Sequence, residues 1–322
     1  MVQETIANRI ILHRHFKDID ELAEVLNSGR KVQLTQLSPR RFNCDLFFVE
    51  FEEAQFFFTN SFGSVRCLGE KNAEYLSFSC VIESSEADVI THGYRVSDDT
   101  LYGFDPNREI NLVMPSNLKL CNVSIKCDVF EECLRVMERT DIDRRFLSAN
   151  FLRSPTTMPT LRNYLKQLWC LVERQPHFLK LPHLKKLVLE DFIPLLIDAI
   201  PLSIESALKP LPSSSRVQTV KQVEDYMMAH LDRPLTLKDL GKALNVSSRP
   251  IFYGFQEMFG VSPMAYLKIQ RLHGVRRALK VSDPETRSVM EIAQQFGFWS
   301  AGHFARDYKT MFGDLPSETL KQ

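Results

Sequence analysis

Thr236-Leu-Lys-Asp239-Leu240-Gly-Lys-Ala-Leu244-Asn245-Val246-Ser247, followed by Ile251, Phe255 and Phe259-Gly260-Val261-Ser262-Pro263, decides how this 322-residue chain is read, because the pattern occurs twice. The second copy is Ser288-Val-Met-Glu291-Ile292-Ala293-Gln-Gln-Phe296-Gly297-Phe298, then Ser300, Phe304, Tyr308 and Phe312-Gly313-Asp314-Leu315-Pro316. Ile251, Phe255, Phe259 and Gly260 map onto Phe304, Tyr308, Phe312 and Gly313 at an offset of 53, whereas the earlier halves are offset by 52. The second copy therefore holds one extra residue in its turn.

Each position has a physical reason. Thr236 with Asp239, and Ser288 with Glu291, fit the capping box, in which a hydroxyl N-cap and an acid three residues later satisfy each other's backbone N–H. Leu240/Leu244 and Ile292/Phe296 supply the i, i+4 apolar stripe of two short helices. Asn245 and Gly297 stand where a helix must end in positive φ, which these residue types tolerate. Ser247 and Ser300 can cap the helices that follow, whose buried faces are Ile251/Phe255/Phe259 and Phe304/Tyr308/Phe312. Helix, tight turn, helix is the helix-turn-helix unit, over about 236–259 and 288–312, whose second helix enters the DNA major groove.

Between the copies, Ser262 caps and Pro263 opens a helix running to about Val281. Roughly 18 residues give about 27 Å at 1.5 Å per residue. That length suits a rigid spacer holding two groove-entering helices about one DNA turn, near 34 Å, apart. Its basic residues Lys268, Arg271, Arg276, Arg277 and Lys280 are interspersed with Leu267, Leu272, Val275 and Leu279.

The first half reads differently. Phe47–Phe51, Gln55–Thr59, Tyr75–Ile82, Ile110–Met114 and Lys119–Ile125 are strand-like runs separated by Gly, Asn, Asp and Pro, the spacing of a barrel or sandwich. Asp18–Leu26 reads as a short helix ended by Asn27-Ser28-Gly29. After Cys127 the period becomes helical. Val129, Cys133, Val136 and Met137 share one face, and Leu161, Tyr164, Leu165, Leu168 and Val172 share another. The second stripe reads two ways, as a dimerisation helix or as core packing. Leu184–Ile200 is apolar almost all round and is expected to kink or stop near Pro194.

Composition bounds the rest. Hydrophobic residues at 44% and charged residues at 25% exclude a disordered chain. No apolar stretch is long enough to cross a bilayer, and the start, Met1-Val2-Gln3-Glu4, lacks a signal-peptide pattern, so a cytoplasmic protein with no membrane partner is expected. Net charge is zero overall, but residues 216–322 hold 15 basic against 11 acidic residues and the remainder 25 against 29. A basic third behind an acidic body points toward nucleic acid. The seven cysteines all precede residue 171 without a C-x-x-C pair or zinc-type histidine spacing, and most of them read as buried reduced thiols. His13 and His15 form a His-x-His with no matching Glu and His, so no metal and no cofactor is assigned. No Ser/His/Asp set or phosphate loop suggests an enzyme.

On these residues the segment from about Val217 to Leu320 resembles the DNA-binding domain of AraC/XylS-type transcriptional regulators. The likeness rests on Leu235-Thr-Leu-Lys-Asp-Leu240, Asn245-Val-Ser247, Phe255, Phe259-Gly-Val-Ser-Pro263, Tyr266-Leu267, Arg271-Leu272, Ile292-Ala293, Gly297-Phe298, His303-Phe304, Arg306, Lys309 and Phe312-Gly313. The resemblance implies an α+β chain. A cupin-like β-barrel sensor or dimerisation domain with helices (1–200) and a linker (201–215) precede an all-α double helix-turn-helix domain (216–322).

It also implies a bacterial-type regulator, more an activator than a repressor, bound to adjacent major-groove segments of double-stranded DNA. A small-molecule effector, RNA polymerase and a second copy of the chain are its further implied partners. Ser248, Arg249, Phe252 and Tyr253 fall on the family's base-reading face in the first copy, and Ala301, Gly302, Ala305 and Arg306 in the second. Arginine there can grip guanine O6/N7, and an aromatic ring can pack on a thymine methyl. Phe252 has core packing as its alternative. Arg271, Arg276 and Lys309 read as phosphate contacts or as solvated surface. Pro250 in the first copy's second helix and Gly274, where the family usually has Arg, depart from the pattern. Two other readings stay open: a metal-binding or alkyl-transfer N-terminal half with DNA binding added, and a nucleoid-type binder without an effector.

Overall fold

The structure, a computed structural model, describes residues 11–27, 31–39, 41–84, 88–202 and 214–321. The reading of Met1–Glu4 and most of the expected 201–215 linker lie outside the described residues. The chain divides into two compact units. One comprises Met1–Leu34, Asn43–Phe62 and Cys67–Pro210, the other Thr35–Phe42, Gly63–Arg66 and Leu211–Gln322.

Among the described residues, the sheet-rich part has strands β1 (Ile11–Phe16), β2 (Val32–Gln36), β3 (Cys44–Glu50), β4 (Ala54–Ser61), β5 (Val65–Gly69) and β6 (Tyr75–Ser84). They continue as β7 (Val89–Thr91), β8 (Tyr94–Val96), β9 (Thr100–Tyr102), β10 (Ile110–Met114), β11 (Leu118–Lys126) and β12 (Phe151–Arg153). Its helices are α1 (Ile19–Leu26), α2 (Cys127–Val136), α3 (Arg144–Ala149), α4 (Met158–Arg174) and α5 (Pro182–Asp198). The strands form a seven-stranded sheet, ordered β1-β3-β4-β11-β6-β9-β12, and a five-stranded one, ordered β2-β5-β10-β7-β8. The fold is thus sheet-rich at the N-terminus and helical at the C-terminus, and the described strands make two sheets rather than one closed barrel.

Period-two alternation explains the core. Phe47 pairs with Phe58, Phe58 with Cys121 and Cys121 with Cys80, a row of four side chains across the seven-stranded sheet. Val49, Phe56, Val123 and Phe78 form the next row on the same face. Helices cover this face: the Trp169 ring lies 5.3 Å from Phe58, and Phe192 lies 4.9 Å from Phe56. The opposite face buries Val81, Tyr102 and Leu120 with Val89 and Val96 of the second sheet.

Three expectations change here. The stripe Leu161, Leu165, Leu168 and Val172 is buried in this core, with Tyr164 packed against it, so α4 has no free apolar face along that line for a partner copy. Val136 is 72% exposed, and α2 buries Phe130 instead. Helix α5 runs through Pro194 to Asp198. The lost backbone hydrogen bond is offset by burial of Phe192, Ile193, Leu196 and Ile197 on both sides of the proline. On β1, His13 stacks on Phe47 at 4.0 Å and His15 Nδ1 pairs with Asp45 Oδ1 at 2.7 Å.

All seven cysteines are free. Burial, with Asp45 adding to it, pushes the Cys44 thiol up to about 12; burial also pushes Cys80 up to about 12 and raises Cys121. Thiolate is the reactive form, so these three should be inert in the folded chain. A thiol titration with Ellman's reagent is expected to modify exposed Cys170 quickly and Cys44, Cys80 and Cys121 only once denaturant is added. Rapid native labelling of all seven would contradict the packing.

The second unit contains helices α6 (Ser214–Ala229), α7 (Leu237–Leu244), α8 (Ser248–Phe259), α9 (Pro263–Lys280), α10 (Val289–Gln295), α11 (Ala301–Phe312) and α12 (Pro316–Leu320). Helix α9 is the shared support. At its start Tyr266 meets Phe255 at 5.3 Å and Phe259 at 4.5 Å. Further along, Leu272, Val275 and Leu279 join Ile292, Phe304, Tyr308 and Phe312 in one cluster. Gly274 now has a reason. A Cβ there would stand 2.4 Å from Phe296 Cε1, so the missing side chain lets the end of α10 rest on α9.

Candidate nucleic-acid interface

Both motifs are built as the sequence requires. The Thr236 N–H donates to Asp239 Oδ2 at 2.9 Å, and the Asp239 N–H returns to Thr236 Oγ1 at 3.2 Å. The Ser288 N–H donates to Glu291 Oε2 at 2.7 Å, with the return bond at 3.2 Å. These bonds hold both carboxyls below the usual carboxylate range. Asn245 (φ 52°) and Gly297 (φ 79°) are both left-handed, the conformation that ends each first helix. Ser247 and Ser300 occupy the N-cap positions of α8 and α11, but neither makes a side-chain cap bond. In α8 the third helical residue is Pro250, which has no N–H to donate to Ser247. Being in the first turn, it leaves the helix intact.

Helices α8 and α11 each bury one face. Ile251, Phe255 and Phe259, and likewise Phe304, Tyr308 and Phe312, are buried. The opposite faces are open. Ser248, Arg249, Phe252 and Tyr253 are exposed on α8; Ala301, Gly302, Arg306 and Lys309 are exposed on α11, with Ala305 half-buried. Phe252 therefore lies on the outer face, edge-on to Tyr253 at 5.8 Å. Around Gly302 a Cβ would meet nothing within 4 Å, so the fold imposes no steric demand for glycine there.

The cations separate into two groups. Arg276 is buried at 4% exposure, its guanidinium 4.7 Å over the Phe312 ring and donating to Tyr308 Oη at 3.4 Å. It sits inside the unit because its helical position faces the α9–α11 contact, and it is not on the surface as the sequence reading placed it. Arg271 donates to the backbone carbonyls of Leu231 (2.9 Å) and Arg233, and burial lowers its pKa. It staples the loop before α7 to α9 and is half-buried there. Lys268 pairs with Asp307 at 3.2 Å and Arg216 with Glu257 at 2.7 Å. Among the described residues, Arg249, Arg306 and Lys309 have no ion-pair partner. Unpaired positive charge thus stands on the outer faces of both α8 and α11, as it also does at exposed Lys238 and Lys242 of α7.

The repeat offset is also explained. The Val246 N–H donates to the Gly241 carbonyl at 3.0 Å, and the Phe298 N–H donates to the Ala293 carbonyl at 3.1 Å, so Val246 and Phe298 are equivalent. Ser247 and Ser300 are the equivalent N-caps. The additional residue is Trp299, which is 69% exposed. The sequence reading passed over it, although the step from 52 to 53 falls at this position.

A family profile described as a helix-turn-helix domain matches residues 240–322. The probable thc operon regulatory protein of Rhodococcus erythropolis is 42% identical over 102 residues, covering 32% of this chain and 31% of that protein. The C-terminal domain belongs to the AraC/XylS-type helix-turn-helix family. The XylDLEGF operon transcriptional activator of Pseudomonas putida is 32% identical to this AraC-type domain over 102 residues, 32% of each chain. A crystal structure of a probable AraC family transcriptional regulator from Rhodopseudomonas palustris is 42% identical, covering 32% of this chain and 95% of that one, with a TM-score of 0.30. The chain matches about a third of the length of these two curated relatives.

Proposed function

We propose that this chain is a sequence-specific DNA-binding transcription regulator, an activator by its likeness to the XylDLEGF operon activators. In this reading α8 and α11 enter adjacent major-groove segments, and binding rather than catalysis is the activity. The observation that carries it is the pair of outer faces on one support. Each presents an unpaired arginine, Arg249 or Arg306, while Arg271 and Arg276 of α9 are held by protein groups. Arg249, Phe252 and Tyr253 supply the larger reading surface. On α11 the small Ala301, Gly302 and Ala305 leave Arg306 to read bases and Lys309 to hold phosphate.

The N-terminal unit is proposed as the cupin-like sensor, controlled by an effector or by pairing with a second copy, and RNA polymerase as a further partner. A cleft of about 410 Å³ between the two sheets and α4 supports the effector role. It is lined by Glu83, Asp88 and Asp98 opposite Arg162 and Lys166, and its volume falls in the range of small-molecule sites.

Selection of binding sites by the full chain from random duplexes tests the reading. Enrichment of a bipartite site, with its halves about 10 bp apart, is the expected result. Binding without enrichment would leave only a nucleoid-type binder.

A further inference from the structure

Trp299 is large, exposed and unnecessary to the turn that contains it. Gly297 supplies the left-handed residue, the Phe298 N–H closes the turn onto Ala293, and Phe298 packs inward 5.0 Å from Phe304. The first motif makes the same turn without an equivalent residue, going from Val246 directly to the N-cap Ser247. An exposed indole therefore contributes nothing visible to folding at this site. Its 69% exposure leaves the ring available to a partner at a position the first motif lacks.

Its place identifies that partner. In helix-turn-helix docking the first helix crosses the DNA backbone and the N-terminal residues of the second meet base edges, so the turn between them lies beside the sugar–phosphate strand. Trp299 immediately precedes the N-cap of α11. The two motifs also differ in where they carry exposed aromatic surface. The first has Phe252 (37% exposed) and Tyr253 (53%) on the helix itself; the second has Ala301, Gly302 and Ala305 on the helix and Trp299 in the turn. Small residues at Ala301, Gly302 and Ala305 let the start of α11 approach the groove closely, which brings the turn within reach of the backbone.

We propose that Trp299 is a DNA-anchoring residue of the second motif, its ring packed on deoxyribose and its indole N–H donated to a phosphate oxygen. Indole nitrogen is a donor only, and phosphate oxygens are acceptors, so the two are complementary. The inference rests on the regulator reading above and adds a residue and a mode of contact to it. Such a contact supplies affinity with little base preference, and complements Arg306 rather than repeating it.

The test uses the full chain and the duplex recovered by selection. Trp299→Ala is expected to bind roughly tenfold more weakly, equivalent to about 1.4 kcal/mol. The loss should be the same on duplexes altered at single base pairs, and the salt dependence should keep its slope because no charge is removed. Tryptophan emission gives an independent readout. The chain has two tryptophans, and Trp169 is buried in the other unit. Duplex should therefore quench the wild-type signal, and the quench should be missing in Trp299→Phe. Unchanged affinity of Trp299→Ala, or a quench that survives in Trp299→Phe, overturns the proposal while Arg249→Ala and Arg306→Ala still report on the regulator reading. A chain that selects no duplex at all overturns that reading and takes this one with it.

Discussion

Arg249→Ala combined with Arg306→Ala is expected to abolish measurable discrimination for the selected duplex while leaving the fold intact. Each side chain is exposed and without an ion-pair partner, so its removal leaves no buried group unsatisfied. A base-reading arginine contributes about 1 to 3 kcal/mol, or roughly 5- to 150-fold, and loss should be concentrated at one position of the site. The two residues lie on different helices, so their effects should add. Titration of the double variant against matched and scrambled duplexes checks this; wild-type affinity for the matched duplex would show that the faces are misassigned. Arg276→Ala is the informative contrast. That side chain is buried over Phe312, so its replacement should lower thermal stability first and affect DNA only through the fold. Lys309→Ala should weaken all duplexes evenly and reduce the salt slope by about one.

Phe304→Ala should be the most destabilising single change in the second motif. The ring is 2% exposed, between Phe298 at 5.0 Å and Tyr308 at 5.7 Å. Phenylalanine-to-alanine changes in packed cores cost about 3 to 5 kcal/mol, because apolar burial is lost and a cavity remains. A lower denaturation midpoint is expected, together with protection of only the half-site read by α8 in a footprint. Phe252→Ala, at 37% exposure, should leave the midpoint within about 0.5 kcal/mol of wild type and act on DNA affinity instead. If Phe252→Ala destabilised as much as Phe304→Ala, the outer face assigned to α8 would be wrong.

The aromatic residues show how far periodicity reaches. Phe255 and Phe259 recur with Ile251 on one helical stripe and are buried; Phe252 and Tyr253 fall off that stripe and are exposed. The same local logic located the capping boxes, the left-handed Asn245 and Gly297, and the strands Phe47–Phe51, which overlaps β3 up to Glu50, and Gln55–Thr59, which lies within β4. It did not reveal the three-residue strands β7, β8, β9 and β12, which are too short to show a period. Nor did it show that the strands pair as two sheets, since pairing joins residues far apart in sequence, such as Cys80 and Cys121.

What the amino-acid order determined alone was the doubled helix-turn-helix, its caps, its turns and its inner faces, because each depends on contacts within about one helical turn. Only the tertiary structure decided which cations remain available. Arg271, Arg276 and Arg306 look alike in a helical sequence. Packing of α9 against α11 put one under an aromatic ring, the preceding loop placed its carbonyls on another, and left the third outside. The same packing explained Gly274 through Phe296 and identified Trp299 as an exposed addition rather than part of the core. Burial depends on which surfaces meet, and residues distant in sequence bring those surfaces together.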